Sequence, residues 1–196
     1  MLFRSGVFIG DVTGHGVSAA LYLSLLKATT DRKCRKYALE PGNYITSLNS
    51  ELIGNMPMSF LTAIYGVFEK TIHGNTRFSF ASAGHPHPVL WRAEAGTLEY
   101  INSKGTILGM FNDLKYGETD IFMQKGDRVF LYTDGIPETV NGSKQVLGYD
   151  LLMELMHESM RSSIHDTVEE FMSRVNRYKG NVPFEDDIVI IGFEIM

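Results

Sequence analysis

Apolar residues recur at helical intervals near both ends of the chain. A helix over residues 17–36 is predicted by one stripe of small and apolar residues: Val17, Ala20, Leu21, Ser24, Leu25 and Ala28. A second helix follows the break expected at Pro41-Gly42 and is marked by Tyr44, Ile45, Leu48 and Leu52. Two more helices are predicted late in the chain, one lined by Leu151, Leu152, Leu155 and Met156, the other by Ile164, Val168, Phe171, Met172, Val175 and Tyr178.

Between these helices the apolar period changes to two, which predicts strands. Residues 61–67 and 77–82 alternate in this way, and the turn residues His73-Gly74-Asn75 between them predict a β-hairpin. Further short strands are predicted at Val89–Arg92, Leu98–Ile101, Thr119–Met123 and Arg128–Tyr132. A β-branched run, Ile188–Ile191, predicts a buried central strand near the end. This order of elements indicates one α+β layered domain over residues 1–196.

Composition narrows the function classes. The chain has 196 residues, of which 44% are apolar and 21% charged, as in ordinary globular proteins. It contains no apolar run long enough for a membrane span, and its net charge of −5 argues against bulk nucleic-acid binding. The single cysteine, Cys34, excludes an internal disulfide and a cysteine-rich zinc site, and it fits a cytoplasmic location.

Carboxylates stand at the ends of three predicted strands. Asp11 and Asp134 directly follow apolar strands, in IGDVTGHG and LYTDGIPE, and the pair Asp186-Asp187 precedes the last strand. If these strands are antiparallel neighbours, all three segments bring carboxylates to the same end of a sheet. An oxygen-only ligand set suits Mg²⁺ or Mn²⁺ rather than zinc. Aspartate is also common in turns and helix caps, so the spacing alone leaves the structural interpretation open.

The histidines indicate an anion site less directly. His15 lies in a Gly-His-Gly turn before the first helix, where backbone N–H groups attract anions. His85 and His87 flank Pro86 in SAGHPHPVLW. For each of them, a loop histidine held by hydrogen bonds is a simpler interpretation than a zinc ligand. No nucleophile elbow surrounds the candidate nucleophiles Ser18, Ser82 and Cys34. The residues alone therefore indicate a metal-dependent site for an anion such as phosphate.

An ordered set of motifs adds a family resemblance. GDVTGHGVSAAL, FLTAIYGVF, SAGHPHPVLW, KGDRVFLYTDGIPE, LGYDLL and EDDIVII resemble the SpoIIE/RsbU-type branch of the PPM metal-dependent serine/threonine phosphatases. The resemblance covers about residues 7–193. It implies a four-layer αββα sandwich, in which two antiparallel sheets lie between helical layers. It also implies hydrolysis of a phosphoserine or phosphothreonine by a water activated between two Mn²⁺ or Mg²⁺ ions.

The resemblance implies roles for individual residues of this sequence. Asp11 resembles the carboxylate that bridges the two ions, and the Val12 carbonyl a further ligand. Asp134 and Asp186 would hold the second ion, with Asp187 as a less regular ligand. His15 would support the reaction from the loop. A supporting role for phosphate and loops is implied for Gly14, Gly16, Gly135 and His85.

The resemblance also implies partners. The expected substrate is a phosphorylated regulatory protein, such as an anti-sigma-factor antagonist, and an upstream sensor domain is expected in the parent protein. The helices after Asp11, residues 17–52, resemble those that couple regulatory input to assembly of the metal site.

One departure changes the expected activity. Family members carry a strand with a GGD-x-x-D-like motif before IGDVTGHG, whereas only MLFRSG precedes the strand here. We therefore expect either a fragment of a longer protein or a degenerate, non-catalytic interaction module, with weak or no catalysis by this chain. A small-molecule phosphohydrolase or nucleotide binder is the third alternative. An edge strand without its neighbour also makes homodimerisation plausible.

Overall fold

A computed structural model of the chain describes residues 4–14, 16–55, 59–72 and 74–196. The strands within these ranges are β1 (Arg4–Val12), β2 (Leu61–Lys70), β3 (Thr76–Ala83), β4 (Val89–Arg92), β5 (Thr97–Tyr100), β6 (Thr119–Met123), β7 (Arg128–Tyr132) and β8 (Ile190–Glu194). The helices are α1 (Val17–Tyr37), α2 (Pro41–Leu52), α3 (Gly148–Glu158) and α4 (Ile164–Lys179). The candidate residue His15 and the turn residue His73 lie outside the described residues.

The chain divides into two compact units, each with one antiparallel sheet. The first unit spans Met1–His85 and Ser103–Met123, and its sheet has the strand order β1-β2-β3-β6. The second unit spans Pro86–Asn102 and Gln124–Met196, and its sheet has the order β5-β4-β7-β8. The predicted α+β class, with two antiparallel sheets and helices, is confirmed. The expectation of one domain over residues 1–196 stays a prediction.

Helix α2 covers the sheet of the first unit. Its predicted stripe, Tyr44, Ile45, Leu48 and Leu52, is completely or almost completely buried. The Tyr44 ring stacks on the Tyr65 ring of β2, with 3.9 Å between their centroids. Gly42 is required where α2 begins, because a Cβ there would lie 2.5 Å from the Tyr116 carbonyl oxygen.

The buried face of helix α1 is not the face that the sequence predicts. The side chains of Val17 and Leu21 are 80% and 66% exposed, and Ala20, Ser24 and Ala28 are exposed as well. Leu26 and Thr29 are buried instead, and Leu26 joins the core of the first unit. Three of the six stripe residues are alanine or serine, which have little apolar area to bury. The face that packs on the core instead combines Leu26 with the partly buried Tyr22 and Leu25.

Strand β7 lies in the interior of the second sheet, and all five of its residues are buried. Helices α3 and α4 pack on the same core through Leu152, Met156, Phe171 and Val175. The buried Arg128 of β7 pairs with Glu194 of β8 at 2.9 Å. It also donates hydrogen bonds to the Ser162 carbonyl (2.8 Å) and to Thr167 Oγ1 (3.0 Å), which anchors the start of α4 to the sheet.

The last strand differs from its prediction in its bounds and in its position within the sheet. Strand β8 begins at Ile190 rather than at Ile188, and it is an edge strand of intermediate burial rather than a buried central one. The apolar run is accommodated because Ile188 and Ile190 pack partly buried against the core that α4 covers. Strands β4, β6 and β7 have the predicted bounds, and β5 lies one residue earlier than predicted. Among the described helices, none combines the length and apolar character needed to cross a membrane.

Candidate metal centre

In the second unit, two of the predicted carboxylate segments meet at one end of the sheet. Asp134 follows β7 and Asp186-Asp187 precedes β8, and the two strands are antiparallel neighbours, with Tyr132 opposite Ile190. The prediction that these segments reach the same end is therefore confirmed. The condition of neighbouring strands does not hold for the third segment, because β1, which carries Asp11, belongs to the other sheet. The role of Asp11 in the same site stays a prediction.

Thr133 fixes the separation of the two segments. Its hydroxyl donates to the Asp187 carbonyl at 2.8 Å and accepts from the Val189 N–H at 3.0 Å. Its own N–H donates to the Val189 carbonyl at 3.1 Å. Gly135 completes this fit, because a Cβ there would lie 2.8 Å from the Asp187 carbonyl oxygen. The predicted glycine of the TDG turn is thus required by the close approach of the Asp187 backbone.

The side chain of Asp134 indicates whether a cation would fit this site. Its Oδ1 atom is buried and has no hydrogen-bond partner in the part of the chain that the structure describes. A buried carboxylate oxygen without a donor is costly unless a cation neutralises it. The exposed Asp186 and Asp187 stand on the adjacent segment, so the available donors are oxygens, which fit Mg²⁺ or Mn²⁺.

A further carboxylate, Glu138, belongs to this cluster and is missed by sequence reasoning. Its N–H donates to the Asp134 carbonyl at 2.9 Å, so the two residues are one helical turn apart and share a side of that turn. Burial, followed by the charges of Asp134 and Asp186, raises the pKa of Glu138. The i, i+4 spacing within TDGIPE is the signal that could have identified it.

In the first unit, Asp11 lies near the end of β1 opposite Thr62 of β2. Residues directly opposite in an antiparallel pair project to the same face. The Thr62 hydroxyl shares a hydrogen bond of 2.9 Å with Nδ1 of the buried His85. His85 is therefore held beside the cross-strand neighbour of Asp11. Val12, the last residue of β1, is buried opposite Leu61.

The loop after β1 depends on two glycines. Gly14 and Gly16 have φ angles of 94° and 81°, a region that disfavours other residues, and no atom of another described residue, chain neighbours aside, lies within 4 Å of where their Cβ atoms would stand. Gly16 is also the N-cap of α1, where none of the described side chains caps the helix. The supporting role expected for these glycines stays a prediction, as does that of His15, which lies outside the described residues.

Comparison with known proteins identifies the family of this chain. The family model described as Stage II sporulation protein E (SpoIIE) matches residues 3–195. Phosphoserine phosphatase RsbU of Bacillus subtilis is 29% identical over 188 residues, which cover 94% of this chain and 54% of RsbU. The chain thus spans about half the length of this curated relative.

Solved structures share the fold over the whole chain. The SiaA-PP2C domain of Pseudomonas aeruginosa has a TM-score of 0.79 at 20% identity, covering 100% of this chain and 80% of that one. The RsbU and RsbW domains of Rv1364c from Mycobacterium tuberculosis have a TM-score of 0.80 at 22% identity, covering 97% and 51%. More distant structures of the same fold were determined in metal complexes, RsbX with magnesium (TM-score 0.61, 16% identity, 98% and 84%) and PstP with two manganese ions (0.59, 12%, 100% and 99%). This chain belongs to the SpoIIE family and has the fold of PP2C phosphatase domains.

Proposed function

We propose that this chain is a metal-dependent phosphatase domain that removes phosphate from a phosphoserine or phosphothreonine of a regulatory protein. The observation that carries the proposal is the buried, orphaned Oδ1 of Asp134 beside the Asp186 segment. Membership of the SpoIIE family and similarity to a protein named phosphoserine phosphatase support the reaction class. A regulatory protein such as an anti-sigma-factor antagonist is the proposed substrate, with cytoplasmic action and an upstream sensor domain in the parent protein.

Two Mn²⁺ or Mg²⁺ ions are the proposed cofactors. Asp134 and Asp186 would hold one ion, with Asp187 and Glu138 close enough in the chain to contribute. Asp11 and the Val12 carbonyl would complete the centre, with Asp11 as the bridging carboxylate. When bound, the ions would supply a water of lowered pKa for attack on phosphorus. Thr133 and Gly135 hold the Asp134 and Asp187 backbones in place, and Thr62 and His85 hold the surroundings of Asp11.

Titration calorimetry with Mn²⁺ tests the proposal. We expect saturable Mn²⁺ binding by the wild-type chain and a loss of at least about tenfold in affinity for Asp134→Asn, because a charged ligand is removed. Asp166→Asn is the matched control, since Asp166 is an exposed carboxylate in the first turn of α4, and it should bind as the wild type does. Absence of Mn²⁺ binding by the wild type, or unchanged binding by Asp134→Asn, would contradict the metal site.

Hydrolysis assays distinguish an enzyme from a non-catalytic interaction module. The weak activity expected from a sequence without the GGD-x-x-D motif stays a prediction. Mn²⁺-dependent turnover of a phosphoserine peptide at about 1 s⁻¹ or faster, an ordinary enzyme rate, would show that this expectation is wrong. Mn²⁺ binding with no detectable turnover would favour the interaction module.

A further inference from the structure

The loop before β6, residues 103–118, extends the sheet of the first unit at the end where Asp11 lies. Leu108 forms an antiparallel bridge with Leu61 at the start of β2, through N–H to carbonyl bonds of 2.8 and 3.2 Å. On the other side of β2, Leu61 lies opposite Val12, the residue after Asp11. Neighbouring strands lie about 4.8 Å apart, so Leu108 lies about 10 Å from Val12 across β2. Because the bridge is antiparallel, the residues after Leu108 run past the start of β2, beside the end of β1.

The tip of this loop, residues 109–111, is held by Asn49 of α2. Asn49 is buried, and both ends of its side-chain amide form hydrogen bonds. Its oxygen accepts from the Gly109 N–H at 2.9 Å, and its nitrogen donates to the Phe111 carbonyl at 3.0 Å. Farther along the loop, the Tyr116 N–H donates to the Thr46 hydroxyl of the same helix at 3.1 Å. The backbone of the tip is therefore fixed by the fold, and a ligand that binds there does not have to order it.

Two large apolar side chains are exposed on this fixed backbone. Met110 is 54% exposed and Phe111 is 48% exposed. Side chains of this size bury roughly 150–250 Å² each when they are covered completely, so the exposed parts of the pair amount to about 200 Å². A stable dimer buries about 800 Å² on each partner, which is far more than the tip offers. The tip is thus too small to hold a second copy of the chain by itself, but it suits a partner that binds briefly, as a substrate does.

We propose that Met110 and Phe111 determine substrate specificity, by binding an apolar side chain of the substrate protein a few residues from its phosphorylated residue. This inference rests on the proposed function, which assigns Asp11 to the metal centre. An extended chain advances about 3.3 Å per residue, so about three residues cover the distance across β2. The metal centre would bind the phosphate that all phosphorylated substrates share, whereas the tip contacts the sequence around it. The tip therefore affects which phosphoprotein binds and leaves the affinity for Mn²⁺ unchanged.

Equilibrium binding of two peptides to the Mn²⁺-loaded chain tests this role without requiring turnover. Both peptides carry a non-hydrolysable phosphonate analogue of phosphoserine. One has leucine at the third residue on either side of the analogue, and the other has glutamine at these positions. We expect the wild type to bind the leucine peptide more tightly by about tenfold, and Phe111→Ser to lose most of this preference, because aromatic anchors carry much of the affinity of such contacts. Fluorescence anisotropy measures both affinities, and Mn²⁺ affinity should stay unchanged in the variant.

Phe122→Ser is the matched control for the loss of an exposed aromatic side chain. Phe122 is 59% exposed and lies on β6 of the same unit. It stands opposite Arg77 of β3, and Arg77 stands opposite Glu69, at the end of β2 that is far from Leu61. Because Phe122 lies at the other end of the sheet, Phe122→Ser should keep the preference for the leucine peptide.

The remaining outcomes separate this inference from the proposed function. Equal binding of the two peptides by the wild type, no binding of either, or an undiminished preference in Phe111→Ser overturns the inference alone. A loss of Mn²⁺ affinity in Phe111→Ser also overturns it, because the residue would then support the metal centre. A wild-type dimer in sedimentation that Phe111→Ser dissociates overturns it in favour of a second copy at the tip. A wild-type chain that does not bind Mn²⁺ contradicts the proposed function itself, and the inference with it.

Discussion

Helices α1 and α4 are both predicted by stripes of apolar residues, and they use these stripes in opposite ways. Helix α4 buries Phe171 and Val175 completely in the core of its unit. Helix α1 leaves Val17 and Leu21 exposed and buries Leu26 from another face. The α4 stripe contains phenylalanine, valine and methionine, whereas the α1 stripe consists half of alanine and serine. Periodicity therefore predicts that a helix forms, but the size of the side chains decides which face is covered.

The ends of α4 also carry more stabilising hydrogen bonds than the start of α1. Helix α4 begins after Ser163, whose hydroxyl accepts from the Asp166 N–H at 3.0 Å, and it ends at Gly180, whose N–H donates to the Asn176 carbonyl. Helix α1 begins after Gly16, where no cap is formed by the side chains that the structure describes. Helix α4 is thus stabilised by its ends and its face together, and α1 mainly by its buried face.

The largest effect is expected from Phe171→Ala in α4. Removing a completely buried phenylalanine should lower the free energy of unfolding by about 3–5 kcal/mol, because the cavity adds to the lost burial. Urea unfolding followed by circular dichroism measures it. Ser173→Ala, at an exposed position of the same helix, should change it by less than about 0.5 kcal/mol. A loss for Phe171→Ala no larger than that for Leu26→Ala in α1 would mean that α4 is not the more strongly anchored helix.

Leu26→Ala applies the same test to the buried face of α1. We expect a loss of about 2–3 kcal/mol in the free energy of unfolding, near the lower end for buried leucines, because the opposite face of α1 is open to solvent. The same urea titration measures it. A loss as large as that of Phe171→Ala would show that the two helices are equally anchored despite their different faces.

Ser163→Ala tests the difference at the helix ends. Loss of the hydroxyl that accepts from the Asp166 N–H should cost about 1 kcal/mol, the usual value for an N-cap. Ser163→Thr, which keeps a hydroxyl acceptor, should retain most of the stability in thermal unfolding. If alanine and threonine behaved alike, the cap would contribute nothing to α4.

The smallest effect is expected from Leu21→Gln on the exposed face of α1. Glutamine is a good helix former, and Leu21 is 66% exposed, so the free energy of unfolding should change by less than about 0.5 kcal/mol. Urea unfolding at two protein concentrations measures it. A loss above about 1.5 kcal/mol would show that something covers this face in solution, and a dependence on concentration would identify a second copy of the chain.

Much of the fold could be predicted from local pattern. Strands β4, β6 and β7 have the predicted bounds, because short alternating or apolar runs there are bounded by glycine-containing turns. The edge position of β8 could not be predicted, since a β-branched run fits a central strand and an edge strand equally well when a helix covers one face. The sheet to which β1 belongs depends on pairing with β2, which lies about fifty residues away in sequence.

The candidate site was predictable where motif and strand order coincide. Asp134 and Asp186 lie at one end of their sheet because β7 and β8 are antiparallel neighbours. Glu138 was missed although it lies four residues after Asp134, because an i, i+4 relation matters only once the turn is known to be helical. Closure of the loop between Val140 and Val146 could not be predicted either, because no local pattern indicates a bridge between these two residues.

The hydroxyl of Thr133 has a consequence for how strongly a ligand can be held. Because this one group bonds to the backbone on either side of Ile188, the spacing of the Asp134 and Asp187 segments is a property of the main chain. A cation entering here would not have to order two loose loops, and the conformational entropy of that ordering is already lost on folding. Thr133→Val keeps the shape of the side chain but removes the hydroxyl. In this variant the two segments would be ordered only when the cation binds, so the entropic cost would weaken cation binding.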